Sequence, residues 1–224
     1  MGRRLSSHVA MHAMFEMCPI RTALGGALVS IALPLAACGG SEPLPGCTVR
    51  QDLGDLGAVK GAQAGQAPQQ APTPPGNPDA KLLFLRAPIS ADDVLDLELW
   101  DSYGGFGDKD VTTGTFAITG PETMKISCGV CVKLLGNVGS DGMPTQIYIA
   151  TAGSVTISSI TGQLVGSATG LVLSEIDEAS PNGGALIDGC TSAISDVSFD
   201  VVISPATIAT RTRRYDDPVA VQID

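Results

Sequence analysis

Histidine is nearly missing. The chain holds two, His8 and His12, so residues 38–224 carry no imidazole. Ser-His-Asp and Cys-His catalytic arrangements and histidine metal sites are excluded for that stretch. The sequence also lacks a Gly-x-Ser-x-Gly elbow and a phosphate-cradling Gly-Lys-Ser/Thr loop. Aromatic residues make up only 4% of the chain, with Trp100 the single tryptophan. Cations are scarce as well: 3 of the 13 basic and 1 of the 23 acidic residues precede Cys38, leaving a formal charge of −12 on residues 38–224. Such an excess of carboxylates repels phosphate backbones and argues against a nucleic-acid partner. No stretch shows a convincing amphipathic helical period, whereas Gly, Thr, Ser, Val and Ile are plentiful, a mixture suited to short strands and tight turns.

One apolar run stands out. Residues 22–37 are small and apolar, with Arg21 just before them, the length and flanks of a signal-peptide core rather than of a membrane span. The run ends in Leu35-Ala36-Ala37-Cys38, which resembles the lipobox of bacterial lipoproteins. The resemblance implies cleavage before Cys38, a thioether-linked lipid on its sulfur and acylation, palmitate included, at its new amino group. Two or three acyl chains, at about 0.8 kcal/mol per buried CH₂, make such an anchor effectively permanent. Gly39 stands where an Asp would imply inner-membrane retention, which favours the outer membrane. The membrane lipid held by Cys38 is thus the first expected partner.

Four segments follow from composition: a lipoprotein signal peptide over 1–37, an anchor and flexible linker over 38–80, a β-domain over 81–205 and a tail over 206–224. Residues 61–78 are rich in Ala, Gln, Gly and Pro and read as a semi-extended spacer able to hold the domain several nanometres from a bilayer. Beyond Lys81, apolar residues alternate with polar ones. Leu95, Leu97 and Leu99 alternate with Asp96 and Glu98, predicting leucines inward and carboxylates on a solvated outer surface. Phe116 and Ile118 repeat the pattern, and residues 124–134 read as one long strand. Further strands are expected at 147–149, 155–157, 171–173 and 197–203, with a hairpin turn at Thr161-Gly162 and a longer loop at 182–184. Residues 81–85 lack alternation and read as a strand buried on both faces. About eight short strands predict an all-β domain, an antiparallel β-sandwich or small barrel.

The run Leu97-Glu98-Leu99-Trp100-Asp101, the Gly-rich loop after it, Gly114-Thr115-Phe116, Cys128-Gly129-Val130-Cys131 and Cys190 resemble a set of predicted lipoproteins from Gram-negative soil bacteria. That likeness spans most of residues 95–203 and implies a β-fold and an envelope location; the group has no established activity.

With Cys18 cleaved away and Cys38 lipidated, Cys47, Cys128, Cys131 and Cys190 remain, an even number that predicts two disulfides in an oxidising compartment. Were 124–134 one regular strand, Cys128 and Cys131 would lie roughly 10 Å apart and pair elsewhere, Cys190 taking one of them. A bulge at Gly129 would bring them together instead. Redox and zinc roles for Cys-x-x-Cys lack the helical or ligand setting each requires. Trp100, Asp101, Tyr103, Asp108 and Asp110 surround the glycine-rich loop 102–107 and form a candidate ligand or calcium loop, with a solvated hairpin as the plainer reading. No catalytic residue, metal or cofactor is predicted. The expected function is a non-enzymatic binding or structural module, with a glycan or an envelope protein as partner; the alternative is a carboxylate-using enzyme acting on envelope polysaccharide.

Overall fold

The computed structural model describes residues 43–68, 81–177 and 183–205. The expected signal peptide, Cys38, residues 69–80 of the spacer, Asn182 and the tail 206–224 lie outside the described residues. Nine strands occur among the described ones: β1 Asp52–Ala58, β2 Gln63–Pro68, β3 Lys81–Pro88, β4 Val94–Trp100, β5 Gly114–Ala117, β6 Val130–Gly136, β7 Gln146–Ser159, β8 Gln163–Glu175 and β9 Thr191–Pro205.

Seven of them close a barrel in the order β2-β3-β4-β6-β7-β8-β9, with β9 returning to β2. The long strands β7 and β9 each serve two neighbours on one side. β7 pairs with β6 over residues 146–149 and with β5 over 154–157, while β9 pairs with β1 over 193–198 and with β2 over 203–205. The all-β barrel expectation holds, but the sheet is mixed rather than antiparallel throughout, because β1 and β2 both run parallel to β9.

Alternation in β3, β4 and β6 builds the interior in rows. Leu83, Leu99 and Val130 share one row, Leu85, Leu97 and Val132 the next, and Ala87, Leu95 and Leu134 the third. Each buried Leu or Val contributes about 2 kcal/mol by leaving water. The register of β7 slips near Thr151, so Tyr148 and Ala150 face inward before the slip and Val155 and Ile157 after it. A one-residue bulge reverses which parity faces the core. Gly153 and Gly170 sit at this bend with positive φ, and a Cβ on Gly153 would lie 2.8 Å from the Gly170 carbonyl oxygen. The strands expected at 147–149 and 155–157 are therefore one bent strand.

Three further expectations are corrected. Residues 124–134 are not one strand: Gly120–Thr123 form a 3-10 turn, irregular turns follow, and β6 begins only at Val130. Pro121 cannot donate to a ladder, and Met124 and Ile126, expected in the core, are exposed. The linker assigned to 38–80 contains β1 and β2, so the domain begins well before residue 81. In β1 the Asp52 and Asp55 carboxylates each accept a hydrogen bond, at 2.8 Å, from the amide two residues on. These turns give a three-residue period that puts Leu53 and Leu56 against the core. In β2 a small residue is required, because a Cβ on Gly65 would meet the Phe84 ring at 2.9 Å. Finally, Asp96 and Glu98 are buried rather than solvated.

Candidate functional site

The outer face of β3, β4 and β6 concentrates the charge that the barrel interior excludes. Strand register sets Arg86, Asp96 and Lys133 side by side, and Phe84, Glu98 and Cys131 in the next row. Arg86 Nε donates to Asp96 Oδ1 at 3.2 Å, and Lys133 Nζ donates to Glu98 Oε2 at 2.6 Å. Trp100 Nε1 donates to the same Glu98 oxygen at 3.0 Å. Two cations and two carboxylates thus cancel within one patch, which is what burial of charge requires. Their environments differ. Burial pushes the Asp96 carboxyl above its ordinary range despite Arg86 beside it, and the neighbouring Glu98 charge adds to the rise. Burial acts on Glu98 in the same sense, but Lys133 and its hydrogen bond outweigh it and hold that carboxyl low. Opposed shifts on adjacent carboxylates are a pattern that acid-base sites also use. Here each carboxylate faces its own cation, so the charges are paired within the patch.

Beside this network a second apolar cluster forms outside the barrel, from Cys128, Cys131, Leu135, Ile147, Ile149 and Ile176, with Val94, Trp100 and Val138 against it. Cys128 and Cys131 are joined by a disulfide across a turn, their Cα atoms 5.3 Å apart. The turn at 124–129 brings them closer than a regular strand would. The buried Glu122 fixes this turn: its carboxylate accepts the amides of Gly129 at 2.8 Å and Val130 at 2.7 Å, and that of Gly105 across the loop.

The candidate ligand loop is used structurally. Asp101 is buried, with Oδ1 accepting from the Val111 amide at 2.7 Å and Oδ2 from the Lys81 amide at 3.3 Å, which closes the loop base. Phe106 turns inward and meets Phe116 edge to face, ring centroids 4.9 Å apart. Trp100 and Tyr103 are half-buried, and Asp108 and Asp110 are exposed. Among the described residues no group of three or more His, Cys, Asp or Glu side chains is placed to hold a metal ion.

At the opposite end of β4's neighbours, Cys47 is disulfide-bonded to Cys190, with Cα atoms 5.7 Å apart. Cys190 therefore pairs with neither Cys128 nor Cys131. Gln146 organises the junction: its Oε1 accepts from the Thr48 amide at 2.7 Å, the Thr48 hydroxyl at 2.8 Å and the Tyr148 hydroxyl at 2.9 Å. Its Nε2 donates to the Gly46 carbonyl at 3.0 Å and to Glu175 at 3.1 Å. Pro144, Thr145, Gln146, Glu175, Asp177 and Leu186 line a shallow depression of about 270 Å³ beside it. Sequence reasoning missed Glu122, Gln146 and Glu175, and nothing in their local pattern marks them. Arg86 and Lys133 did carry a signal, since each interrupts an otherwise apolar run.

The fold and these sites define a closed mixed barrel with an apolar core, an internally neutralised outer face and, among the described residues, two disulfides. Comparison with known proteins adds no relative: no family model, no curated protein and no solved structure matches the chain.

Proposed function

We propose that the chain is a lipoprotein of the cell envelope, anchored through Cys38 and presenting the barrel as a non-catalytic binding or structural module. The single observation behind this reading is the box Leu35-Ala36-Ala37-Cys38 closing an apolar run that follows Arg21. Two disulfides among the described residues support it, because such bonds persist in exported proteins and are rare in reducing compartments. The interior bears on the kind of module: buried apolar side chains from all seven barrel strands pack into one core, which supports recognition of a glycan or envelope protein at the surface. The outer membrane is favoured by Gly39 after the acylated residue.

The enzyme reading keeps one point in its favour, the opposed shifts of Asp96 and Glu98. A hydrolase needs those carboxylates free to reach a glycosidic bond, whereas both are buried and engaged by Arg86 and Lys133. Intact-mass analysis of protein from its native host tests the anchor: the expected species starts at Cys38 and carries acyl mass. A full-length chain, or one trimmed elsewhere without lipid, ends the proposal. A pull-down from intact envelopes with that lipidated protein is then expected to return a glycan or protein partner. Turnover of envelope polysaccharide abolished by Glu98→Gln would favour the enzyme.

A further inference from the structure

Of the eight large apolar side chains exposed among the described residues, four lie at one end of the barrel, where β6 passes to β7 and β8 to β9, while Val202 stands alone near the other end. Ile187 is 96% exposed, Leu186 41%, Leu44 45% and Met143 38%. They stand on three segments that meet there. The Cys47 amide closes a turn onto the Leu44 carbonyl, the Gly189 amide closes one onto Leu186, and the disulfide Cys47–Cys190 joins the two turns. Met143 precedes Pro144, which lines the same depression as Leu186. Single exposed apolar residues are ordinary, but a cluster carried on loop tips marks a contact surface.

The length of chain beyond this end says what covers it. Cys47 is nine residues from Cys38, a reach of about 30 Å at full extension. Cys47 is also covalently fixed at this end through Cys190. The opposite end, marked by the turn at Thr161-Gly162, lies at most roughly 40 Å away, the contour of the bent strand β7 at about 3.3 Å per residue. A barrel standing on that far end would hold residues 38–47 at close to full extension, an ordering cost that seating the Cys47 end on the bilayer avoids. The disulfide therefore brings the domain close to the bilayer, in place of the several-nanometre separation that the spacer suggests.

We propose that the end bearing Leu44, Met143, Leu186 and Ile187 is the membrane-facing surface of the domain, with Ile187 at its tip entering the lipid interface. The inference rests on acylation at Cys38. Its partner is a zwitterionic lipid surface, because Asp141, Asp177 and Asp188 neighbour the patch and would be repelled by anionic headgroups. The contact is apolar insertion of loop tips, to a depth of about 5–10 Å.

The test uses the full lipidated protein in vesicles of phosphatidylcholine with brominated or plain acyl chains. Ile187→Trp and Thr161→Trp change exposed positions at the two ends, and Trp100, the single native tryptophan, gives the baseline in the unmodified protein. The expected result is a blue-shifted Ile187→Trp signal that loses intensity in brominated relative to plain vesicles, the added indole lying in the acyl boundary. Thr161→Trp and the unmodified protein stay close to their values in plain vesicles. Co-flotation with vesicles is scored in the same samples. Ile187→Trp indistinguishable from baseline in floating protein, or Thr161→Trp quenched as strongly, overturns the membrane-facing end and leaves the anchor standing. Protein that neither floats nor carries acyl mass removes the anchor, and the inference with it.

Discussion

Inside the barrel, Leu95, Leu97 and Leu99 of β4 stand between aliphatic residues of β3 and β6, whereas on the outer side of the same strand Asp96 meets Arg86, and Glu98 meets Lys133 and Trp100. Both faces are buried, yet burial is made tolerable in different ways. The inner face gains from excluding water and needs only volume and shape. The outer face loses hydration of four charges and recovers it through pairing, a balance that breaks when any one member is removed. The inner face should therefore answer to the amount of side chain deleted, and the outer face to which partner is left behind.

The largest effect is expected inside. Leu97→Ala leaves a cavity between Leu85 and Val132 and should cost about 3 to 4 kcal/mol in urea unfolding. A loss under about 1 kcal/mol would mean that the interior collapses around the gap and is less tightly packed than its row structure implies.

Next in size is Glu98→Gln, nearly isosteric, which strands the Lys133 ammonium against a neutral amide and should cost about 3 kcal/mol at neutral pH. It carries a pH signature as well. Glu98 is held below its ordinary value of 4.5, so its contribution is fully present above that pH and is lost as pH falls through the lowered value. Asp96 is held above 3.8, so its ionisation costs stability as pH rises through the raised value and the cost is relieved on acidification. Glu98→Gln should accordingly flatten the acid limb of stability against pH, and Asp96→Asn should steepen it. Parallel limbs in the two variants would remove the distinction drawn between the two carboxylates.

The same contrast decides what could be read in the sequence. The inner face of β4 was legible because leucines at every second position have one physical use in a strand, burial on a shared side. The outer face was misread because a carboxylate at the alternate positions predicts solvent equally well. Only Lys133 within 130–135 and Arg86 at the end of 82–86 hinted that cations would sit opposite. Apolar alternation also runs on in phase from Met124 to Leu134, so period alone could not show that Pro121, the turn after it and the Cys128–Cys131 bond break it before Val130. In β1 the repeat is three residues long, set by Asp52 and Asp55 hydrogen bonds, and a two-residue template passes over it. The parallel pairing of β1 and β2 with β9 joins segments far apart in the chain, which no local pattern encodes. Of the expected site residues, Cys47, Cys128, Cys131 and Cys190 were rightly read as disulfide cysteines, while the bonding of Cys190 to Cys47 needed the position of Gly46 and Thr48, which Gln146 holds.

The smallest expected effect is the sharpest test of the comparison. Replacing both members of the pair, Glu98→Leu with Lys133→Leu, removes the charge and its counter-charge together, so no ion is left unpaired beside Cys131 and Trp100. If the outer face is held by mutual neutralisation, the double variant should lie within about 1 kcal/mol of the parent, far from the sum of its single variants. Measured by urea unfolding at neutral pH, that outcome makes the network a solution to burial rather than a source of stability. A double variant destabilised as much as Glu98→Gln alone would instead give the outer face a net favourable pair. The two faces of β4 would then stabilise the barrel by comparable amounts through unlike physics.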